Sequence, residues 1–110
     1  MNIDVIFYWN RVIDIADKLP GAELSTSYGT PAFKVNKKLF VRLKEDGKTL
    51  VVYTNERDKW MKKDPAVFFI TDHYKNYPSL LIALDTVKKK DLEYLVHESW
   101  QIRAPKRLLK

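Results

Sequence analysis

AFKVNKKLFVRLKEDGKTLVVYT, residues 32–54, is the stretch on which the reading of this chain turns. It divides into the runs AFKVN (32–36), LFVRLK (39–44) and TLVVYT (49–54), parted by Asn36-Lys37 and Asp46-Gly47. Short runs of β-branched and aromatic residues punctuated in this way read as antiparallel strands joined by two-residue turns. Asn36 tolerates a positive φ and Lys37 does so less readily, which makes the first turn the strained one. With both turns two residues long, Phe33 faces Phe40 and Phe40 faces Tyr53. On the opposite side Val41 meets Val52 and Leu43 meets Leu50, an aliphatic face that belongs to a core. A slip of one residue would scramble both faces. The aromatic face, bordered by Lys38, Arg42 and Lys44, has two readings. Left open, aromatics framed by cations can stack bases and hold phosphates. Covered by a helix, the aromatics become core and the cations a rim. Large rings are usually packed when a helix is available, so the covered arrangement is expected.

Outward from this meander the chain alternates helix and strand. Val5, Trp9, Val12, Ala16 and Leu19 recur at helical spacing, with Ile6 and Ile13 widening the stripe, Asn2 or Asp4 as cap and Pro20-Gly21 as stop. NERDKWMKK (55–63) reads as a short helix capped by Thr54 or Asn55 and ended by Asp64-Pro65. AVFFI (66–70) and SLLIAL (79–84) read as a second hairpin, apolar on both faces and therefore mid-sheet or covered twice. KKKDLEYLVHESWQIRAP (88–105) is a helix facing inward through Leu92, Leu95, Val96, Ser99 and Arg103, with Trp100 beside that stripe. Lys88, Lys89 and Lys90 oppose the helix dipole, so the first turn is expected at Asp91. The result is one α+β domain over residues 1–110: an antiparallel sheet, made of a three-stranded meander plus a second hairpin, flanked by N- and C-terminal helices.

Composition narrows the chemistry. The chain of 110 residues has no cysteine, which excludes disulfides, thiolate metal sites and a cysteine nucleophile. Its N-terminus is broken by charges and carries neither a leader nor an apolar span, so a cytoplasmic protein with no membrane contact is expected. Net charge is +6, and residues 34–63 alone hold ten basic and four acidic groups. That concentration favours an anionic partner, nucleic acid first. Catalysis finds little support. His73 and His97 lie on separate elements and offer neither a metal set nor an oriented base. Gly21, Gly29 and Gly47 are isolated and make no phosphate loop. ELSTSYGTP (23–31) is rich in hydroxyls and could cradle an anion, although such residues more often make turns. TDHYKNYP (71–78) has a recognition composition, with flat rings, hydrogen-bonding tips and a lysine. Its tyrosines could equally fold back on the sheet.

Three stretches together, STSYGTPAFKVNKKLFVRL (25–43), FFITDHYKNYP (68–78) and ESWQIRAPKRL (98–108), resemble the MmcQ/YjbR family of small bacterial proteins, and the similarity runs over nearly the whole chain. The matching positions are Tyr28-Gly29, Phe33, Lys38, Phe40, His73-Tyr74, Tyr77-Pro78, Trp100 and Pro105-Lys106. The resemblance implies a CyaY-like α+β fold related to a double-wing DNA-binding arrangement, and with it the family's usual description as DNA-binding. Two departures stand out: Asn36-Lys37 where such proteins often have Asn-Gly, and Ala83 where they often place arginine.

Taken together, these readings lead us to expect a monomeric, non-enzymatic protein without metal or cofactor that binds DNA weakly through basic hairpin wings. Lys37, Lys38, Arg42 and Lys44 would touch phosphates, His73, Tyr74, Lys75 and Tyr77 would form a second surface, and Lys106 and Arg107 a third. The alternative is a module for a protein or small anion that uses loops 25–30 and 71–78.

Overall fold

Two-residue turns organise the front of the sheet. The computed structural model describes residues 3–109 and the side chains of 5–109. Strands β1 (Ala22–Ser27), β2 (Thr30–Val35), β3 (Lys38–Leu43) and β4 (Thr49–Tyr53) form an antiparallel meander. Tyr28-Gly29 joins β1 to β2 with φ of 53° and 80°, and Asn36-Lys37 joins β2 to β3 with φ of 50° and 67°. Both residues of each turn are left-handed, the geometry that suits the twist of a hairpin. Lys37 accepts it despite its side chain. The β3–β4 connection is longer than expected: Lys44 still bonds Thr49, leaving four residues, Glu45–Lys48, in the loop. The Asp46 carboxylate closes that loop by accepting the amides of Lys48 and Thr49 at 3.0 and 2.9 Å and the Thr49 hydroxyl at 2.6 Å.

The β3–β4 register is the expected one, with Val41 opposite Val52 and Leu43 opposite Leu50. The β2–β3 register is not. Val35 faces Lys38 and Lys34 faces Leu39, but beyond a bulge Phe33 faces Val41, so Phe40 is an extra residue in β3. Without it, the even-numbered side chains of β3, Arg42 among them, would share a face with Phe33. The extra residue brings Val41 and Leu43 onto that face instead and sends Arg42 to the other. Phe33 and Phe40 are therefore core, their ring centres 6.2 Å apart, and the expected row Phe33–Phe40–Tyr53 does not exist.

ELSTSYGTP, for which the sequence suggests turns more than an anion cradle, begins with strand β1. β1 is an edge strand, polar and largely exposed as edge strands commonly are. The second hairpin pairs β5 (Phe68–Phe69) with β6 (Ser79–Ala83), and β6 lies beside β4. The sheet has six strands in the order β1-β2-β3-β4-β6-β5. β6 is thus an interior strand, which fits its apolar residues on both faces, whereas β5, expected mid-sheet or covered twice, is a two-residue edge strand.

Helices α1 (Ile3–Ala16) and α3 (Lys89–Arg103) cover one face. From α1, Trp9, Val12 and Ala16 are buried, while Tyr8, Ile13 and Ile15 pack against the core. Ile6, assigned to the stripe from the sequence, is 46% exposed. The cap expected at Asn2 or Asp4 falls on a residue, or a side chain, outside those described. α3 buries Leu92, Leu95, Val96 and Ser99 as expected and Trp100 with them, leaves Arg103 half-buried, and starts at Lys89 rather than Asp91. Asp91 lies in its first turn, buried and paired with Lys63 at 3.2 Å. Between β4 and β5, α2 (Arg57–Lys63) has Glu56 at its N-cap with no side-chain cap. Neither Thr54 nor Asn55, the two expected caps, takes that place; Thr54 accepts the Glu56 amide at 3.0 Å and donates to Glu98 at 2.6 Å. No helix among the described residues is long and apolar enough to cross a membrane.

Ser99 joins helix to bulge. Its hydroxyl donates to the Phe40 carbonyl and accepts the Tyr53 amide at 2.8 Å, with both partners under the helix. Ser99→Ala removes this bridge and leaves both backbone groups unpaired, which costs about 1–3 kcal/mol. Urea unfolding should move by that amount with the far-UV spectrum unchanged. A shift under about 0.5 kcal/mol, inside the scatter of ordinary substitutions, would mean that the bulge does not need the serine.

Candidate functional site

The face of the sheet turned away from α1 and α3 carries Arg42, Val51 and Leu81 side by side on β3, β4 and β6. Residues 71–78 fold back over it through a single 3-10 turn at Asp72–Tyr74. The loop is tied by Arg57, whose guanidinium donates to the carbonyls of Tyr74 (3.2 Å), Tyr77 (2.7 Å) and Lys75 (3.2 Å). Three charge-assisted bonds from one planar fork hold a segment that has little apolar packing of its own. Tyr74 is half-buried, with the Lys44 ammonium 5.5 Å from its ring centre. His73 meets the Tyr74 ring edge-on at 4.8 Å and lies 6.2 Å from that of Tyr77.

Arg42 sits beneath this loop, 6% exposed. Its Nε donates to the Ser27 carbonyl at 3.3 Å and one terminal nitrogen to the Tyr74 hydroxyl at 3.5 Å, the long end of a hydrogen bond. The other terminal nitrogen pairs with the Glu45 carboxylate, and the guanidinium lies 5.1 Å from the centre of the Tyr28 ring. The outward phosphate contact expected of Arg42 is replaced by an inward hub joining three loops. Glu45 is held below the ordinary carboxylate range, first by its own backbone amide, against a desolvation cost, and then by Arg42 and Lys44. Desolvation pushes Asp46 upward, but the Thr49 hydroxyl and the Lys48 and Thr49 amides outweigh it, so Asp46 too is lowered.

A cavity of about 270 Å³ opens between Tyr28 and the loop, with Arg42, Val51, Tyr53 and Ser79 on the sheet side and His73, Tyr74 and Tyr77 on the loop side. Tyr28 is 88% and Tyr77 55% exposed. Beyond Tyr53 the Arg103 guanidinium stands 4.4 Å from that ring and donates to the Leu39 carbonyl at 2.9 Å. Loops 25–30 and 71–78, named together from the sequence, are therefore neighbours. His97 is elsewhere, stacked 5.6 Å from Trp100. Among the described residues no three His, Cys, Asp or Glu side chains gather as a metal set.

The exposed cations assemble differently from the expected wings. Lys37 and Lys38 project at the β2–β3 turn, and Lys106 and Arg107 from a 3-10 turn, Lys106–Leu108, after α3. These pairs share one end of the molecule. Val35 lies opposite Lys38, and a Cβ on Gly21 would come within 3.6 Å of Val35 and 2.8 Å of Leu108. Arg103, three residues before Lys106, donates to the carbonyl of Leu39, the residue after Lys38. Among the described residues none of Lys37, Lys38, Lys106 and Arg107 joins an ion pair. Lys44 is half-buried on Tyr74, and Lys75 is exposed on the loop. Sequence reasoning missed Arg57, whose partners lie 17–20 residues away and leave no local signal. It also missed the part played by Arg103, which the inward stripe of α3 had flagged.

A family model described as YjbR matches residues 17–102. Uncharacterised proteins of Mycobacterium tuberculosis and Mycobacterium bovis are 33% identical over 69 residues, covering 63% of this chain and 47% of theirs. The chain thus spans about half the length of those relatives. The crystal structure of a Deinococcus radiodurans protein with a domain described as DUF419 superposes with a TM-score of 0.76 at 17% identity. That match covers 90% of this chain and 80% of the other, a likeness of fold.

Two outcomes follow from this geometry. Arg57→Met should free the loop: exchange of the Tyr74 and Tyr77 amides rises about 5- to 30-fold, the equivalent of about 1–2 kcal/mol for partly solvated charged bonds, while Val51 is unchanged. Unaltered loop exchange would remove Arg57 from this role. Because Glu45 and Asp46 are lowered in the folded state, their contribution is complete above the ordinary carboxylate range, about pH 4. It is lost as pH falls below that range through the folded values. Acid titration of stability should steepen there, and Asp46→Asn should flatten part of that limb.

Proposed function

The chain belongs to the YjbR family, and we propose that this member is a non-enzymatic, monomeric, cytoplasmic protein that binds nucleic acid, DNA foremost, weakly and mainly through electrostatics. One observation carries the reading: Lys37, Lys38, Lys106 and Arg107 share one end, exposed and without ion pairs among the described residues. Arg42 contributes nothing outward, since Glu45 already matches its charge. Lys44 lies against Tyr74. Phosphate contacts of this kind position a chain without reading its sequence, so low sequence specificity goes with the proposal.

The cavity favours a second reading, a module that takes a peptide or small ligand between loops 25–30 and 71–78. A small anion is the weaker form of it, because the anion would have to displace Glu45 from Arg42. Shift mapping with duplex DNA separates the two. Changes at residues 34–38 and 103–108 support the basic end. Changes confined to 25–30 and 71–78, reproduced by inorganic phosphate, support a small-anion site instead.

With four cations engaged, anisotropy titrations should show binding weaken on the order of a hundredfold between roughly 50 and 200 mM salt. The double change Lys37→Glu and Lys38→Glu should lower the salt slope by about 2. Binding that ignores salt, or no binding at low salt, would reject the proposal.

A further inference from the structure

We infer that the tyrosine-walled cavity receives one unpaired nucleobase, so that single-stranded nucleic acid is preferred to duplex. This rests on the nucleic-acid reading above and names the form of the ligand. At about 270 Å³ the space falls below the roughly 300–1,000 Å³ of a drug-sized pocket and suits a single flat group. Its walls are rings from three separate segments, Tyr28, Tyr53 and the pair His73 and Tyr77. Two of these, Tyr28 and Tyr77, leave most of their surface in solvent. Every base has a π-face that such rings can stack on, and in a duplex those faces are already covered.

The polar groups fit a base edge better than an anion. Ser79 is 4% exposed and lines the cavity, where its hydroxyl can donate to or accept from a base edge. The one cation at the floor, Arg42, is matched by Glu45. Phosphates find their charge outside. Arg103 bridges from the Tyr53 ring to Leu39, the residue after Lys38, so the basic end begins where the cavity wall stops. A strand with one base in the cavity would pass its backbone over Arg103 and Lys38. Arg57 already fixes the loop wall, so little ordering is left for the ligand to drive.

The test compares three labelled probes at one salt concentration with the full chain: a short single strand, the same sugar–phosphate chain lacking bases, and a duplex. The single strand should bind at least about fivefold tighter than either, the low end of the roughly 5- to 150-fold that stacking one base supplies. Tyr77→Ala and Tyr28→Ala should bring the single strand to the abasic level and leave the abasic affinity unchanged. Both side chains are largely exposed, so the fold should persist, which circular dichroism checks. Lys37→Glu with Lys38→Glu should weaken all three probes alike. Equal affinity for the single strand and the abasic chain, or tighter duplex binding, overturns the base site and leaves the basic end standing. If no probe binds, the nucleic-acid reading falls, and free adenosine and thymidine then decide the cavity by NMR. Shifts at Tyr77 and Ser79 that are lost in Tyr77→Ala sustain the base site. No shifts, or shifts with N-acetyltyrosine amide in place of nucleosides, overturn it, the latter in favour of a peptide side chain.

Discussion

The extra residue at Phe40 shifts every pairing beyond it by one position, and both faces of the sheet follow from that shift. It aligns Val41 and Leu43 with Phe33 under the helices and turns Arg42 to the opposite side. A bulge breaks the ladder locally, so its backbone groups need other partners. Ser99 supplies one: a small, fully buried side chain on α3 that serves a carbonyl of β3 and an amide of β4 at once. Docking of α3 and the register of β3 are therefore a single decision. Because α3 carries Arg103 and leads to Lys106 and Arg107, that decision also places the basic end beside the β2–β3 turn.

The back of the sheet is organised by two arginines with different tasks. Arg42 is buried and joins the β1–β2 turn, the β3–β4 loop and Tyr74. Arg57 works from the rim and grips the backbone of the 71–78 loop. In both cases a planar fork with several fixed donors replaces the apolar packing that a short polar loop lacks. Tyr77 keeps much of its surface in solvent because Arg57 holds the loop by its backbone carbonyls. Of the rings in this loop, Tyr74 reaches Arg42 on the sheet, and with His73 and Tyr77 it lines the cavity.

Much of the fold was legible. The strands around residues 32–54 and the inward stripe of α3 follow periodicities of two and 3.6 that burial imposes locally, and the second hairpin shows as continuous apolar runs. β1 escaped because an exposed edge strand needs no apolar alternation, and AELSTS has almost none. The Phe33–Phe40 pairing failed because turn length alone cannot reveal an added residue further along a strand. Of the candidate site, Lys37, Lys38, Lys106 and Arg107 were found as exposed cations. The neighbourhood of loops 25–30 and 71–78 was named as an alternative. Arg42 was misplaced for the same reason as the aromatic row.

The sequence by itself determined an α+β chain of antiparallel strands, the location of its excess charge and the absence of thiol chemistry, since each is set by composition or by short-range pattern. Only the tertiary structure decided which side of the sheet Arg42 occupies, that the hairpin and C-terminal cations meet, and that tyrosines from distant segments enclose a space. Those outcomes depend on one backbone irregularity and on side-chain-to-backbone hydrogen bonds between residues far apart in the chain. Such bonds act through distance in space, and no spacing along the sequence encodes them.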